Sequence, residues 1–334
     1  MMRKIVIGTR KSNLAVNQAE WVLSQLESLG LPYEFELKKI VTKGDRILDV
    51  TLSKVGGKAL FVKEIEHALR EGEVDLAVHS MKDVPSVLPE AFTLAAVTER
   101  EDPRDALLSN SGETLMELPS GSVVGTSSLR RQAQVLAVRP DLQVHWIRGN
   151  IETRMRKLKE ENFDAIILAA AGLSRMGWTN EVVTEFLDPT LSIPAVGQGA
   201  LGLECRVGDE EVITILQHLH DEEVSHTVSA ERSFLRNVEG SCTVPVAAHA
   251  TMNEDRQLTL TALIASTDGK TLLKEELTGD DPSNWGKPQQ RTSLNVGGKK
   301  YLNKYVQSRE NLEPSRYRHE RKKRRGERQS RSSN

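Results

Sequence analysis

Four short polar stretches of this 334-residue chain hold the residue types that bind anions or transfer protons. They are residues 8–12 (GTRKS), residues 125–131 (GTSSLRR), residues 148–150 (RGN) with Arg154, and residues 74–85 (VDLAVHSMKDVP). Each lies where a predicted strand meets a loop or a helix, and an open α/β sheet binds its ligand at the carboxyl ends of its strands. The pattern therefore predicts that the four stretches contribute to one site.

Two of these stretches place arginine near the start of a predicted helix, where free backbone amides and the helix dipole favour an anion, and the third adds the guanidinium groups of Arg148 and Arg154. Arg10 is a candidate carboxylate ligand after the first strand. In the second domain, hydroxyl groups at residues 126–128 precede the paired guanidinium groups of Arg130 and Arg131, which suit carboxylates. The alternatives are a purely capping role for these hydroxyls and a solvated surface position for any single arginine. Recurrence at several strand ends favours a shared anion site.

The fourth stretch contains an apolar strand that ends in Ser80, Lys82 and Asp83 before a proline. A carboxylate at the end of a strand is well placed for acid–base work or for stabilising a cation. The alternative is that Asp83 pairs with Lys82 or accepts a hydrogen bond from a turn amide. Asp83 is therefore a candidate catalytic residue.

Two cysteines are too few for a disulfide framework, so a reducing cytoplasm is the simpler setting. Cys242 lies in a loop-like segment flanked by glycine and proline, whereas Cys205 ends an apolar run, which makes Cys242 the better candidate for reactivity. Neither the cysteines nor the eight histidines have metal-ligand spacing, and no Walker A or dinucleotide motif occurs. We predict no metal and no nucleotide cofactor.

The elements that must position these residues follow an α/β pattern, because short apolar runs alternate with helix-period stretches. In the first unit we predict strands at residues 4–8, 34–41 and 74–78, and helices at residues 14–29 and 61–70. The order restarts near residue 103, with strands at residues 122–125 and 165–169 and a helix at residues 128–138. Residues 194–200 (PAVGQGA) suit a crossing between domains. The third unit has a predicted helix at residues 224–237 and strands at residues 257–265 and 271–277.

Charge is unevenly distributed along the chain, although the formal net charge is only −2. From Asp281 onward there are 15 Lys and Arg against 5 Asp and Glu, which leaves 30 against 42 for the preceding residues. A net acidic body argues against a nucleic-acid-binding protein. The basic, aperiodic segment 283–334 is predicted to be disordered, with a nucleic-acid-binding tail as the alternative.

Five motifs together resemble the porphobilinogen deaminase family, and the resemblance runs from residue 2 to about residue 280. The motifs are residues 78–85 (VHSMKDVP), 125–131 (GTSSLRR), 148–150 (RGN), 194–200 (PAVGQGA) and 239–242 (EGSC). The resemblance implies an α/β protein of three domains, the first two similar to type II periplasmic binding proteins and the third a small α+β unit that carries the cofactor cysteine. The implied boundaries are residues 1–98 with 199–216, residues 103–194, and residues 219–282.

The resemblance also implies a role for each matching residue. Cys242 matches the cysteine that forms a thioether with dipyrromethane, a cofactor the enzyme makes from its own substrate, and Asp83 matches the catalytic carboxylate. Residues that match cofactor-binding positions are Ser80, Lys82, Thr126, Ser128, Arg130, Arg131 and Arg154. Residues that match substrate-binding positions are Arg10, Ser12, Lys54, Lys58, Arg148 and Arg175. Each pyrrole ring carries two carboxylates, so the growing chain is a polyanion that suits several guanidinium groups.

The implied reaction belongs to tetrapyrrole (porphyrin and heme) biosynthesis in the cytoplasm, with a monomeric enzyme and neither nucleic acid nor membrane as partner. Porphobilinogen loses ammonia to give an electrophilic azafulvenium, the terminal pyrrole carbon of the cofactor attacks it, and a proton leaves. Four rounds and a hydrolysis release hydroxymethylbilane.

The chain departs from the family pattern in two places. Ser241 stands where family members usually have a second glycine, which narrows the backbone angles open to the loop. After residue 282 the family continues with amphipathic helical sequence, whereas this chain becomes basic and aperiodic, as a shifted reading frame near residue 283 would produce. The third domain is therefore predicted to be truncated.

Two other functions fit parts of the sequence. A non-catalytic anion receptor would use the two α/β halves alone, but it would need neither Cys242 nor Asp83. A protein recruited to RNA or DNA by its tail would bind in a strongly salt-dependent way, and binding would disappear on removal of residues 283–334.

Overall fold

The computed structural model describes residues 3–42, 62–238 and 245–279. Its first sheet has strands β1 (Arg3–Arg10), β2 (Tyr33–Ile40), β3 (Leu76–Ser80), β4 (Phe92–Val97) and β10 (Leu201–Arg206). They lie in the order β2-β1-β3-β10-β4, with β1 parallel to β2 and β3, and β10 antiparallel to β3 and β4. The carboxyl ends of β1, β2 and β3 therefore share one edge.

The second sheet repeats this topology. Its strands are β5 (Asp105–Ser109), β6 (Val123–Gly125), β7 (Gln143–His145), β8 (Ala165–Ala169) and β9 (Glu185–Leu187). Their order is β7-β6-β8-β5-β9, with β6 parallel to β7 and β8, and β5 antiparallel to β8 and β9. The chain crosses from the first sheet to the second at residues 98–104 and returns at residues 188–200. In each sheet the antiparallel strand is the one that enters directly after a crossing.

The helices α1 (Asn13–Ser28), α2 (Lys63–Arg70) and α7 (Glu210–Gln217) pack on the first sheet. The second sheet is followed along the chain by helices α3 (Leu129–Val138), α4 (Ile151–Glu160), α5 (Ala170–Arg175) and α6 (Thr179–Val182). In α1, Ala19, Val22 and Leu26 recur at helical spacing and pack against Ile5 and Ile7 of β1. This apolar stripe holds α1 on the sheet with its N-terminus at the end of β1.

A third unit packs the long helix α8 (Glu222–Asn237) against an antiparallel sheet of β11 (Val246–Met252), β12 (Leu258–Ala265) and β13 (Leu272–Gly279). Phe234 and Leu235 of α8 share a core with Leu260 and Ile264 of β12. The α/β architecture predicted from the sequence is thereby confirmed. No helix within the described ranges is both long and apolar enough to cross a membrane.

One predicted strand is shifted by two residues at both ends. The strand predicted at residues 74–78 is Leu76–Ser80 in the structure. The backbone amides of Glu73 and Val74 both donate to the Ala68 carbonyl, which continues the turn after α2 and delays the strand. Ser80 therefore belongs to the strand itself, and Lys82 and Asp83 lie in a short 3-10 turn directly after it.

Candidate active site

Helices begin close after the carboxyl ends of β1, β6, β7 and β8. Several helix N-termini therefore lie at the carboxyl edges of the two sheets. In three of these helices, the side chain of the residue just before the helix accepts a hydrogen bond from a backbone amide of the first turn. Ser12 accepts from Ala15 N at 3.4 Å, Ser128 from Arg131 N at 3.4 Å, and Asn150 from Thr153 N at 2.9 Å. The capping alternative for the hydroxyls at residues 126–128 is thus observed at Ser128, Ser12 also caps its helix, and a ligand would meet the remaining amides.

Thr126 is buried directly after β6 and organises the turn that leads into α3. Its backbone amide donates to the His145 carbonyl at 2.9 Å, which continues the pairing of β6 with β7. Its Oγ1 accepts from Ser128 N at 3.1 Å. The Thr126 side chain therefore fixes the loop between strand and helix.

Arg130 and Arg131 lie in the first turn of α3, and each is only 6% exposed. Asp105, the first residue of β5, pairs with both, at 2.7 Å from Arg130 Nη1 and 2.8 Å from Arg131 Nη2. The carbonyls of Ile193 and Ile167 accept one further bond from each arginine. Burial raises the pKa of Asp105, but the two guanidinium groups outweigh burial and hold that pKa well below its usual range. The cluster therefore carries a net positive charge.

Most of the N–H donors of Arg130 and Arg131 are engaged within the protein. A guanidinium has five N–H groups, so the two have ten, of which six bind Asp105 and the two carbonyls. Two guanidinium groups side by side require a carboxylate when they are buried. That Arg130 and Arg131 bind ligand carboxylates stays a prediction, and such binding would use their remaining N–H groups.

Lys82 is partly buried in the 3-10 turn after β3, with its Nζ 3.5 Å from Gln198 Oε1. Burial lowers the pKa of Lys82 to about 8, and the neighbouring Arg131 contributes to the decrease. Asp83 and Asp105 act in the opposite direction. Lys82 is thus part of the same electrostatic cluster as the arginines of α3, although it belongs to the first sheet.

Asp83 is partly exposed beside Lys82. Within residues 3–42, 62–238 and 245–279, no side chain or backbone group forms a hydrogen bond or an ion pair with its carboxylate. The alternative of an ion pair with Lys82 is therefore not observed. A carboxylate at this position can act on a ligand.

Arg154 and Arg148 extend the positive cluster at the second sheet. The Arg154 Nε donates to the Gly149 carbonyl at 2.9 Å. Burial, together with the nearby charges of Arg131 and Arg148, lowers the pKa of Arg154 to about 10. The Arg148 guanidinium lies 5.3 Å from the centre of the Trp146 ring, and burial lowers its pKa as well. These shifts indicate cations held close together, where an anionic ligand would relieve their repulsion.

Ser80, Lys82 and Arg175 line one cavity between α1 and α5, together with Gln18 and Gln198. The Ser80 hydroxyl is 3.0 Å from Gln18 Nε2, and Arg175 Nη2 donates to the Gly199 carbonyl at 2.7 Å. Burial lowers the pKa of Arg175, although Glu101 and Glu99 oppose this effect. The cavity lies between the two sheets, where residues of both can reach one ligand.

Other predicted site residues are located as follows. Arg10 ends β1, opposite Ile40 in the register of β2. Lys54, Lys58 and Cys242 lie outside the described residues, as do Ser241 and the segment 283–334. Cys205 is fully buried in β10, and burial raises the pKa of its thiol to about 11. Such a thiol is poorly suited to covalent chemistry.

Asp105 and Gln198 are site residues that sequence reasoning missed. Asp105 ends the charged stretch 99–105, which served only to mark a domain boundary, and Gln198 lies in a domain crossing. Gln198 Nε2 donates to Asp105 Oδ1 at 3.0 Å, while its Oε1 faces Lys82. The adjacent arginines of α3 were the available signal, because a buried guanidinium pair needs a carboxylate.

The donor set suits dipyrromethane, the cofactor that the family resemblance implies. Its acetate and propionate groups are anions, and Lys82, Arg131 and Arg154 are cations whose pKa values burial lowers. No carboxylate opposes that decrease at Arg154. The chemistry of these residues therefore fits a polyanionic group, which would lie between the two sheets.

Comparisons with known proteins agree with the motifs. The family model described as porphobilinogen deaminase, dipyromethane cofactor binding domain, matches residues 5–214, and the porphobilinogen deaminase C-terminal domain matches residues 225–292. A porphobilinogen deaminase of Halalkalibacterium halodurans is 62% identical over 301 residues, covering 90% of this chain and 97% of the relative. One of Shouchella clausii is 66% identical over 278 residues, covering 83% of this chain and 89% of the relative.

Solved structures were also compared. The methionine binding protein MetQ has a TM-score of 0.43 at 14% identity, covering 69% of this chain and 96% of that protein. A YaeC family lipoprotein from Enterococcus faecalis has a TM-score of 0.39 at 15% identity, covering 72% and 98%. The family predicted from the motifs is confirmed by the family models and the curated relatives. This chain belongs to the porphobilinogen deaminase family.

Proposed function

We propose that this protein condenses four porphobilinogen molecules head to tail, with loss of ammonia, on a dipyrromethane attached to Cys242, and releases hydroxymethylbilane. One observation carries the proposal. The Asp83 carboxylate has no partner among the described residues and lies beside a cluster of partly desolvated cations. A receptor for anions would use the cations but would gain nothing from an unpaired carboxylate among them.

The cations hold the carboxylates of cofactor and substrate. Lys82 and Arg154 are cations whose pKa values burial has lowered. A carboxylate that approaches them stabilises the charged form of each side chain. Arg148 and Arg175 add guanidinium groups, and charged hydrogen bonds of this kind contribute about 1.5–3 kcal/mol each. Several such bonds fix the orientation of a pyrrole that has two acidic side chains.

Asp83 acts on the reacting ring. When the C–N bond of the aminomethyl group breaks, ammonia keeps the electron pair and the substrate's pyrrole becomes cationic. A carboxylate nearby favours that charge, because it is present before the charge develops. The bound dipyrromethane supplies the pyrrole carbon that forms the new C–C bond. Asp83 favours both the departure of ammonia and the attack, since both involve a cationic ring.

The proposal includes a cytoplasmic, monomeric enzyme that uses no metal. Cys205 is completely buried, and burial raises the pKa of its thiol to about 11, which makes it poorly suited to attachment. This supports Cys242, the other cysteine of the chain, as the attachment residue.

Intact mass measurement of freshly purified protein tests the proposal. We expect an added mass of two condensed pyrroles on the parent protein and on Cys205→Ser, and none on Cys242→Ser. Cys205→Ser is the matched control, because it removes the buried thiol and leaves the other. An unmodified mass for folded parent protein that also fails to consume porphobilinogen would reject the proposed function.

A further inference from the structure

Glu231 is a buried carboxylate that no step proposed above uses. It lies within α8 and is 0% exposed. Its Oε2 accepts from Gly197 N at 2.6 Å, and its Oε1 accepts from Ala250 N at 2.9 Å. Arg100 donates to both oxygens, at 2.8 Å and 3.3 Å. His249 Nδ1 is 3.4 Å from Oε1.

The donors come from three separate parts of the chain. Arg100 belongs to the crossing at residues 98–104, and Gly197 belongs to the return crossing at residues 188–200. Ala250 belongs to β11 of the third unit, and Glu231 itself to α8. One carboxylate therefore joins the third unit to both connections between the first two sheets.

The buried charge of Glu231 requires that its hydrogen-bond donors at this junction stay in place. Burial raises the pKa of Glu231, but Arg100 and His249 outweigh burial and bring that pKa to about 2. An ionised carboxylate in the interior is stable only while its donors stay in place. Crossing segments between two domains are the positions where hinge motion changes the backbone angles. Glu231 thus binds these two crossings, which we call the hinge, through contacts that tolerate little displacement.

The junction continues to the active site. Arg100 Nε donates to the Gln198 carbonyl at 2.9 Å, and the Gln198 side chain faces Lys82 Nζ at 3.5 Å. The residue after Glu231, Arg232, donates to the Pro85 carbonyl at 2.7 Å, two residues beyond Asp83. Neighbouring residues of α8 therefore contact both the hinge and the turn that carries the candidate catalytic carboxylate.

Glu231 also links the two elements that flank Cys242 in sequence. Helix α8 ends at Asn237 and β11 begins at Val246, so the cysteine lies between them along the chain. Through Ala250 N, Glu231 fixes the position of β11 relative to α8.

We propose that Glu231 is a positioning residue, which aligns the third unit with the two crossings and thereby holds α8, β11 and the Asp83 turn in register during condensation. The inference rests on the proposed function. It assigns Glu231 no contact with substrate, because its effect passes through the hinge.

The test compares Glu231→Gln with Glu223→Gln, an exposed position in the first turn of the same helix. Glutamine keeps the shape and one acceptor oxygen but loses the charge that binds Arg100. We expect Glu231→Gln to keep the pyrrole adduct in intact mass spectra and a KM within about twofold, while kcat falls roughly tenfold, as for loss of one charged contact. Glu223→Gln should match the parent in all three.

A second comparison separates positioning from simple stabilisation. Arg100→Gln removes the same ion pair from the hinge side, so its kcat should fall by a similar factor, and the double variant should be no slower than either single variant. Should Glu231→Gln not fold, Arg100→Lys, which cannot form the two-pronged contact, takes its place.

Any of three results would overturn the inference. The first is a variant that is folded and carries the adduct with an unchanged kcat. The second is additive losses of kcat in the double variant, and the third is a loss of kcat that follows only the fraction of unfolded protein. Failure of the proposed function is distinguishable, since the parent protein itself would then lack both adduct and condensation activity.

Discussion

At the carboxyl edges of the first and second sheets, the same strand order presents different chemistry. In the first sheet, Lys82 and Asp83 lie in the turn directly after β3, and the Asp83 carboxylate has no partner among the described residues. At the second sheet, Arg130 and Arg131 follow β6, and Asp105 of β5 already pairs with both. Topology therefore fixes where side chains meet, while pairing decides which charges remain for a ligand.

The comparison also concerns stability. The buried cluster of the second sheet is satisfied within the protein, so its residues should matter for folding before they matter for catalysis. The partly exposed carboxylate of Asp83 forms no hydrogen bond or ion pair with a described residue, so its loss should affect catalysis far more than stability. The predictions below test this division.

The largest effect is expected for Asp105→Asn. This change leaves two buried guanidinium groups without their carboxylate, and breaking a buried pair costs about 3–5 kcal/mol in the free energy of unfolding. Asp102 lies three residues before Asp105 and forms a much more exposed pair with Arg104. Asp102→Asn should therefore lower the free energy of unfolding by less than about 1 kcal/mol. Urea unfolding of both variants measures the difference. Equal losses would contradict the contrast between the sheets.

The next effect is expected for Asp83→Asn. Two charges about 4 Å apart attract by roughly 4 kcal/mol at an effective dielectric near 20, before desolvation is subtracted, so turnover should fall at least ~10²-fold. Asp83→Glu keeps the charge, displaces it by a methylene and should keep partial activity. Neither change should alter the free energy of unfolding by more than about 0.5 kcal/mol.

The measurement is the rate of porphobilinogen consumption by variants whose intact mass includes the pyrrole adduct. A loaded Asp83→Asn protein that turns over within a few-fold of the parent would remove Asp83 from the chemistry.

The smallest effect concerns the pH dependence of binding at Lys82. Burial lowers the pKa of Lys82 to about 8. The side chain is charged below this pH and becomes neutral as the pH rises through it, so affinity for carboxylates should weaken and KM should rise a few-fold between about pH 7 and pH 9. Lys82→Arg stays charged throughout this range and should abolish that part of the profile.

Lys157→Arg is the matched control, because Lys157 lies on α4 and pairs at 3.2 Å with the exposed Glu161. It should keep the parent's pH profile. A Lys82→Arg profile that also matches the parent would show that another group titrates.

Much of the fold could be predicted from the sequence, because its signals are local. The apolar alternation of β12 and the stripe of α1 gave elements within a residue or two of the observed ones. The shift at β3 was missed because the turn after α2 depends on the Ala68 carbonyl, which accepts from two amides. Hydrogen bonds of that kind leave no periodic trace.

The sequence by itself determined the family, the α/β architecture and the candidates Asp83 and Cys242, because motif order and hydrophobic period are properties of the chain alone. Only the tertiary structure decided that Asp105 pairs with the arginines of α3, that Gln198 faces Lys82, and that Glu231 joins three distant segments. These partners are separated by 19 to 131 residues in sequence. Their contacts exist because burial forces each charge to find a partner wherever the packed chain brings one within reach.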